Sequence, residues 1–111
     1  MESGTVLVGI DIGAGRGAKI GIFDEEFALL GETILAVDDY GQDAESLVSG
    51  ITERLFGLAR TVCGDISGIC GAGVVGPGVF CDDGTIAYAA NLSFLDGTNL
   101  RNLIGNSLGV P

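Results

Sequence analysis

The sequence has 111 residues, near the size of one domain, and its 47% apolar and 18% charged residues exclude a disordered chain. Fifteen acidic against five basic side chains give a formal net charge of −10, in no like-charged block longer than Asp24-Glu25-Glu26, so direct nucleic-acid binding by this segment is not expected. The longest apolar stretches, such as Val6 to Ile10 and Cys70 to Val75, fall far short of the ~20 residues that cross a bilayer, and Met1-Glu2-Ser3-Gly4 opens no secretory signal; the cytoplasm is the expected compartment.

Val6 to Ile12 is an apolar, β-branched run closed by Gly13 and reads as a buried strand. Past the glycine-rich turn Gly13-Ala14-Gly15-Arg16-Gly17, Ala18 to Phe23 reads as the returning strand of a hairpin. Asp24-Glu25-Glu26 makes a polar turn, and Phe27 to Val37 supplies a third strand with a bulge expected at Gly31. From Asp43 to Val62 the period changes. Leu47, Ile51, Leu55, Leu58 and Val62 form one helical stripe, with Asp43 as the expected cap and Gly64 as the stop. Ile66 to Val75 returns to strand character, broken by glycines. A small hairpin then pairs Val79–Cys81 with Thr85–Tyr88 around Asp82-Asp83-Gly84. Thr98 is the expected cap of a last helix carrying Leu100, Leu103, Ile104 and Leu108, ended by Gly109.

Three antiparallel strands, a helix and a further strand fit an α/β domain. Its sheet is mixed, with three antiparallel strands first and helices packed on it, as in the ribonuclease-H-like fold. Cys63, Cys70 and Cys81 are odd in number, lack CxxC spacing and have no histidine to join them, so all three are expected to be reduced and buried.

Three segments, in their order, carry a more specific signal. Gly9-Ile10-Asp11-Ile12-Gly13, a cationic residue after it, and Phe23-Asp24 resemble the first phosphate motif of the actin-like ATPase superfamily. Gly71-Ala72-Gly73-Val74-Val75-Gly76-Pro77 resembles the sugar-pocket turn of the ROK family (repressors, open reading frames and kinases). Gly84-Thr85, Ala90-Asn91-Leu92 and the closing Leu-Gly-Val-Pro resemble that family's approach to its catalytic strand.

The resemblance spans Val6 to Pro111 and implies that residues 1–111 are the amino-terminal sugar- and phosphate-binding domain of a longer ROK protein, incomplete at its carboxyl end. It implies phosphate binding by Gly13, Ala14, Gly15 and Arg16, where glycines let backbone N–H groups approach oxyanions. It implies Mg²⁺ at Asp11, through water, and a hexose against Gly73, Val74 and Asn91. Taken alone, Asp11 could equally cap a turn and Asn91 a loop. ROK kinases usually carry Gly-Thr-Lys after Asp-x-Gly; here Ala14-Gly15-Arg16 stands there and Gly17 lengthens the hairpin. The family's catalytic aspartate would lie beyond Pro111, so turnover is expected only from an intact parent. That parent would be a glucokinase-like sugar kinase using ATP and Mg²⁺, or alternatively a sugar-sensing ROK transcriptional regulator. An uncovered apolar face or sheet edge implies self-association, with a homodimer expected.

Overall fold

The computed structural model describes residues 5–13, 17–36, 43–62, 68–75, 79–88 and 93–109. Strands β1 (Thr5–Ile12), β2 (Gly17–Phe23) and β3 (Leu29–Ala36) follow one another and pair antiparallel. Helix α1 (Ala44–Val62) then returns the chain to β4 (Gly68–Val75), which lies parallel to β1. The order across this four-stranded sheet is β3-β2-β1-β4. A two-stranded ribbon, β5 (Val79–Phe80) and β6 (Ile86–Tyr88), leads through a 3₁₀ turn at Ser93–Leu95 to helix α2 (Leu100–Leu108).

The two-residue period of a strand sorts β1 between the two faces of the sheet. Val6, Val8, Ile10 and Ile12 are buried beneath the helices with Ala18, Ile20 and Ile22 of β2 and Leu35 of β3. The α1 stripe meets them with Leu47, Ile51 and Leu55, each about 1% exposed, and α2 adds Leu100, Ile104 and Leu108. The stripe's last two positions are less covered: Leu58 is partly buried and Val62 is exposed. Val62 nonetheless explains Gly31, because a Cβ at Gly31 would sit 2.7 Å from Val62 Cγ1. The β3 irregularity falls beside this glycine, where Ile22 pairs Gly31 and Phe23 pairs Leu29, leaving Leu30 as the extra residue.

Local hydrogen bonds set the ends of the elements. Asp43 caps α1 as expected, its Oδ1 accepting the Ser46 N–H at 2.8 Å. The cap of α2 is Asn99 rather than Thr98: Asn99 Oδ1 accepts the Asn102 N–H at 3.0 Å. Thr98 instead ties the ribbon to the 3₁₀ turn, its carbonyl accepting from Ile86 N–H and its N–H donating to Leu95. Gly109 closes α2 in the left-handed region at φ 74°, as expected. Cys81 corrects the expectation of three buried cysteines. It is a free, exposed thiol, because it stands at the solvent-facing start of the β5–β6 turn rather than within a buried strand. Cys63 and Gly64 lie outside the described residues, and Cys70 is described only as backbone of β4.

Ile51→Ala would empty the middle of the α1–sheet contact, and a loss of about 2–5 kcal/mol in urea unfolding is expected. In the β5–β6 turn, the Thr85 N–H donates to Asp83 Oδ1 at 3.0 Å, and this bond, with the Thr85 hydroxyl, holds the Asp83 carboxyl below its ordinary range. A depressed carboxyl stabilises the fold above the ordinary range and loses that contribution as pH falls through the folded value. The melting-temperature gap between wild type and Asp83→Ala is therefore expected at neutral pH and should close on acidification.

Candidate functional site

The helix-free face of the sheet presents the other residues of each strand, and the register arranges them in three rows. The first row is Val75, Asp11, Lys19 and Ile34, the second Gly73, Gly9, Gly21 and Glu32, and the third Gly71, Leu7, Phe23 and Leu29. Glycines on three adjacent strands thus form a trough floored by backbone. A shallow cavity of about 560 Å³ lies over it, between the charged first row and the apolar third.

Glycine within a strand destabilises it by roughly 0.5–1 kcal/mol relative to alanine, so three in a row call for a physical reason. For two of them the reason is Phe23. A Cβ on Gly21 would sit 3.1 Å from Phe23 Cε2, and one on Gly9 would sit 3.3 Å away, so the ring lies over both backbones in the manner by which aromatics cover sheet glycines. Gly73 differs: a Cβ there would meet nothing within 4 Å, and the residue is exposed. Its backbone is open to a ligand.

Asp11 stands exposed at the end of β1, directly opposite Lys19. Lys19 Nζ lies 3.5 Å from Glu32 Oε2, with both side chains about half exposed, so this ion pair is worth little as stability and leaves both charges in reach of a ligand. Among the described residues no group of three or more His, Cys, Asp or Glu side chains could hold a metal by themselves. A lone carboxylate can serve Mg²⁺ only where waters and a ligand's own oxygens complete the shell, because Mg²⁺ keeps several waters and takes one or two carboxylates plus substrate phosphates.

The structure therefore brings Asp11 and Gly73 onto one face. Val74 alternates to the other, where its side chain packs on the core, so only its backbone borders the trough. Gly13 adopts φ 112° and its N–H donates to the Gly17 carbonyl at 2.8 Å, closing the hairpin. That amide is already engaged. Ala14, Gly15, Arg16 and Asn91 lie outside the described residues. Sequence reasoning misses Glu32 and, although Phe23 closes the first motif, the ring's place over the glycines; the alternation of β2 and β3 carries the signal, but only the register reveals it.

No family model and no curated protein matches the chain. Solved structures do. A ROK family glucokinase from Streptomyces griseus, in complex with glucose and AMPPNP, is 26% identical with a TM-score of 0.69, covering 96% of this chain and 31% of its own. The inorganic polyphosphate/ATP-glucomannokinase from Arthrobacter sp. strain KM is 29% identical with a TM-score of 0.72, covering 96% of this chain and 42% of its own. The chain is similar in sequence and fold to these ROK family kinases. A ROK family transcriptional regulator, a homolog of the E. coli MLC protein, shares the fold with a TM-score of 0.76 at 13% identity, covering 97% of this chain and 26% of its own. The chain thus has the α/β ribonuclease-H-like fold, and it spans between about a quarter and two-fifths of the length of these proteins.

Adding one methyl group distinguishes the covered glycines from the open one. Gly21→Ala is expected to lower stability by about 1–3 kcal/mol, since Phe23 must move. Gly73→Ala, at a backbone angle that alanine tolerates, is expected to be neutral or to stabilise by up to about 1 kcal/mol. Paired denaturant unfolding curves check both.

Proposed function

We propose that residues 1–111 form the amino-terminal sugar- and phosphate-binding domain of a ROK sugar kinase, whose full-length protein phosphorylates a hexose from ATP and Mg²⁺ in the cytoplasm. The observation that carries this reading is the uncovered backbone of Gly73 on the same open face as Asp11. One position admits a sugar against the main chain and the other holds a metal-bound phosphate. Asp11 would help hold Mg²⁺, which would supply charge neutralisation at the transferred phosphoryl group.

Each residue then has a physical task. Gly13 sets the hairpin so that the backbone of Ala14, Gly15 and Arg16 meets phosphate, with the Arg16 guanidinium adding charge. Gly73 and the backbone of Val74 lie against the sugar's hydroxyl face, and Asn91 supplies both a donor and an acceptor to it. The general base comes from the part of the protein that extends past this domain in its relatives. The apolar third row and the open sheet edges favour self-association as a homodimer, while the net charge of −10 keeps this domain off nucleic acid.

A second reading rests on one specific observation. Ala14-Gly15-Arg16 stands where ROK kinases usually carry Gly-Thr-Lys, and a sugar-sensing ROK regulator has no need of that threonine hydroxyl. Such a protein would use the same sugar pocket without turnover.

Isothermal titration of the full-length protein with a hexose panel, with and without Mg-ATP, followed by a coupled assay for ADP, separates the two. The kinase reading expects hexose-dependent ADP release. It also expects Asp11→Asn, an exposed change that leaves the fold intact, to lower kcat by about 100-fold or more while hexose still binds. Sugar binding with no turnover in the wild type would overturn it in favour of the regulator.

A further inference from the structure

We propose that the groove between β3 and the second half of α1 is a second oxyanion site, taking the phosphate group of a small ligand on the opposite side of the sheet from Asp11 and Gly73. The groove has a volume of about 350 Å³ and is lined by Thr33 from β3 and by Glu53, Arg54, Gly57, Arg60 and Thr61 from α1. Thr33 pairs with Ile20, whose side chain is wholly buried under the helices. The groove therefore opens at the helix-covered side of the sheet edge and shares no residue with the glycine trough.

Two observations point to an anion. Acidic side chains outnumber basic ones fifteen to five, yet among the described residues neither Arg54 nor Arg60 has a carboxylate within ion-pair distance. Lys19, by contrast, has found Glu32. Two unneutralised guanidiniums bordering one groove create the field and the forked donor geometry that phosphate oxygens match. Arg54 is also held in place, its Nη1 donating to the Ile34 carbonyl at the β3 edge at 3.4 Å, which leaves its remaining N–H groups for a ligand.

The second observation is Gly57. It lies in the interior of α1, where glycine is less favourable than alanine, and a Cβ there would meet nothing within 4 Å. Packing among the described residues gives no reason for the missing side chain. The groove does, because Gly57 lies between Arg54 and Arg60 along the helix and keeps its floor open. The Thr61 hydroxyl is committed to the Gly57 carbonyl at 3.1 Å, so the binding charge comes from the arginines. Glu53 at the rim weakens the field, and the affinity expected is on the order of 1 mM.

The test is a titration of the ¹⁵N-labelled chain with sodium phosphate and with glycerol phosphate, followed by NMR against sodium chloride at matched ionic strength. Saturable shifts at the amides of Gly57 and Thr61 and at the side-chain Nε of Arg54 and Arg60 are expected. Equal affinities for the two probes would assign the phosphate group alone as the ligand; tighter binding of glycerol phosphate would assign an ester. Arg60→Gln is expected to weaken binding about tenfold. Gly57→Ala should raise the melting temperature while weakening phosphate, a combination that a purely structural glycine would not produce. Shifts no larger than those from chloride, shifts confined to the Gly13–Gly17 hairpin, or wild-type affinity in a folded Arg60→Gln variant would each overturn the proposal.

Discussion

The alternation of β1 is the constraint from which the rest of the domain follows. Its inward positions, Val6, Val8, Ile10 and Ile12, are the floor on which α1 and α2 settle. Its outward positions include Gly9 and Asp11, and no helix of the described residues packs over them. A slip of one residue in the β1–β2 register would turn the aliphatic set outward and place Asp11 in the core. The burial that stabilises the fold and the exposure that a ligand requires are thus set by one periodicity.

Because the two faces are independent in this way, a glycine has a different meaning on each. Gly31 faces the helices and is explained by the close approach of Val62. On the open face, Gly9 and Gly21 are explained by the Phe23 ring, and a Cβ at Gly73 would meet none of the described residues within 4 Å. That contrast isolates Gly73 more sharply than its place in a glycine-rich segment does, since Gly68 and Gly71 share the same strand. Among Gly9, Gly21, Gly31, Gly71 and Gly73, only Gly73 would carry a Cβ with no neighbour within 4 Å among the described residues.

The elements with strong periodicity are legible in the sequence itself. The aliphatic alternation of β1, the three-and-four spacing of Leu47, Ile51 and Leu55, and the Asp43 cap all act over a few residues, and local rules suffice for them. What local rules miss depends on partners brought together by folding. Asn99 takes the cap from Thr98 because Thr98 is bonded to Ile86 and Leu95, partners that only the folded ribbon brings near. Lys19 and Glu32 lie thirteen positions apart in sequence, and their meeting on the open face depends on the β2–β3 register and the extra residue at Leu30. Likewise Val74 stands in a motif beside Gly73 as if both met the same ligand. The pleat sends its side chain to the core and leaves it only a main-chain part in the site.

The engaged amide of Gly13 narrows how phosphate can be held. Closing the hairpin through the Gly17 carbonyl consumes the donor that the Asp-x-Gly motif would otherwise offer first. Among the described residues, the electrostatics of the open face then rest on Asp11, Lys19 and Glu32, three charges on adjacent strands whose sum is negative. A face of that sign holds a free phosphate poorly; on the proposed reading, a divalent cation arriving with the phosphate would reverse the local charge at Asp11. A magnesium-bound nucleotide therefore suits this surface better than bare phosphate does. The arginine-lined groove beside α1, where the local sign is reversed, has no such requirement.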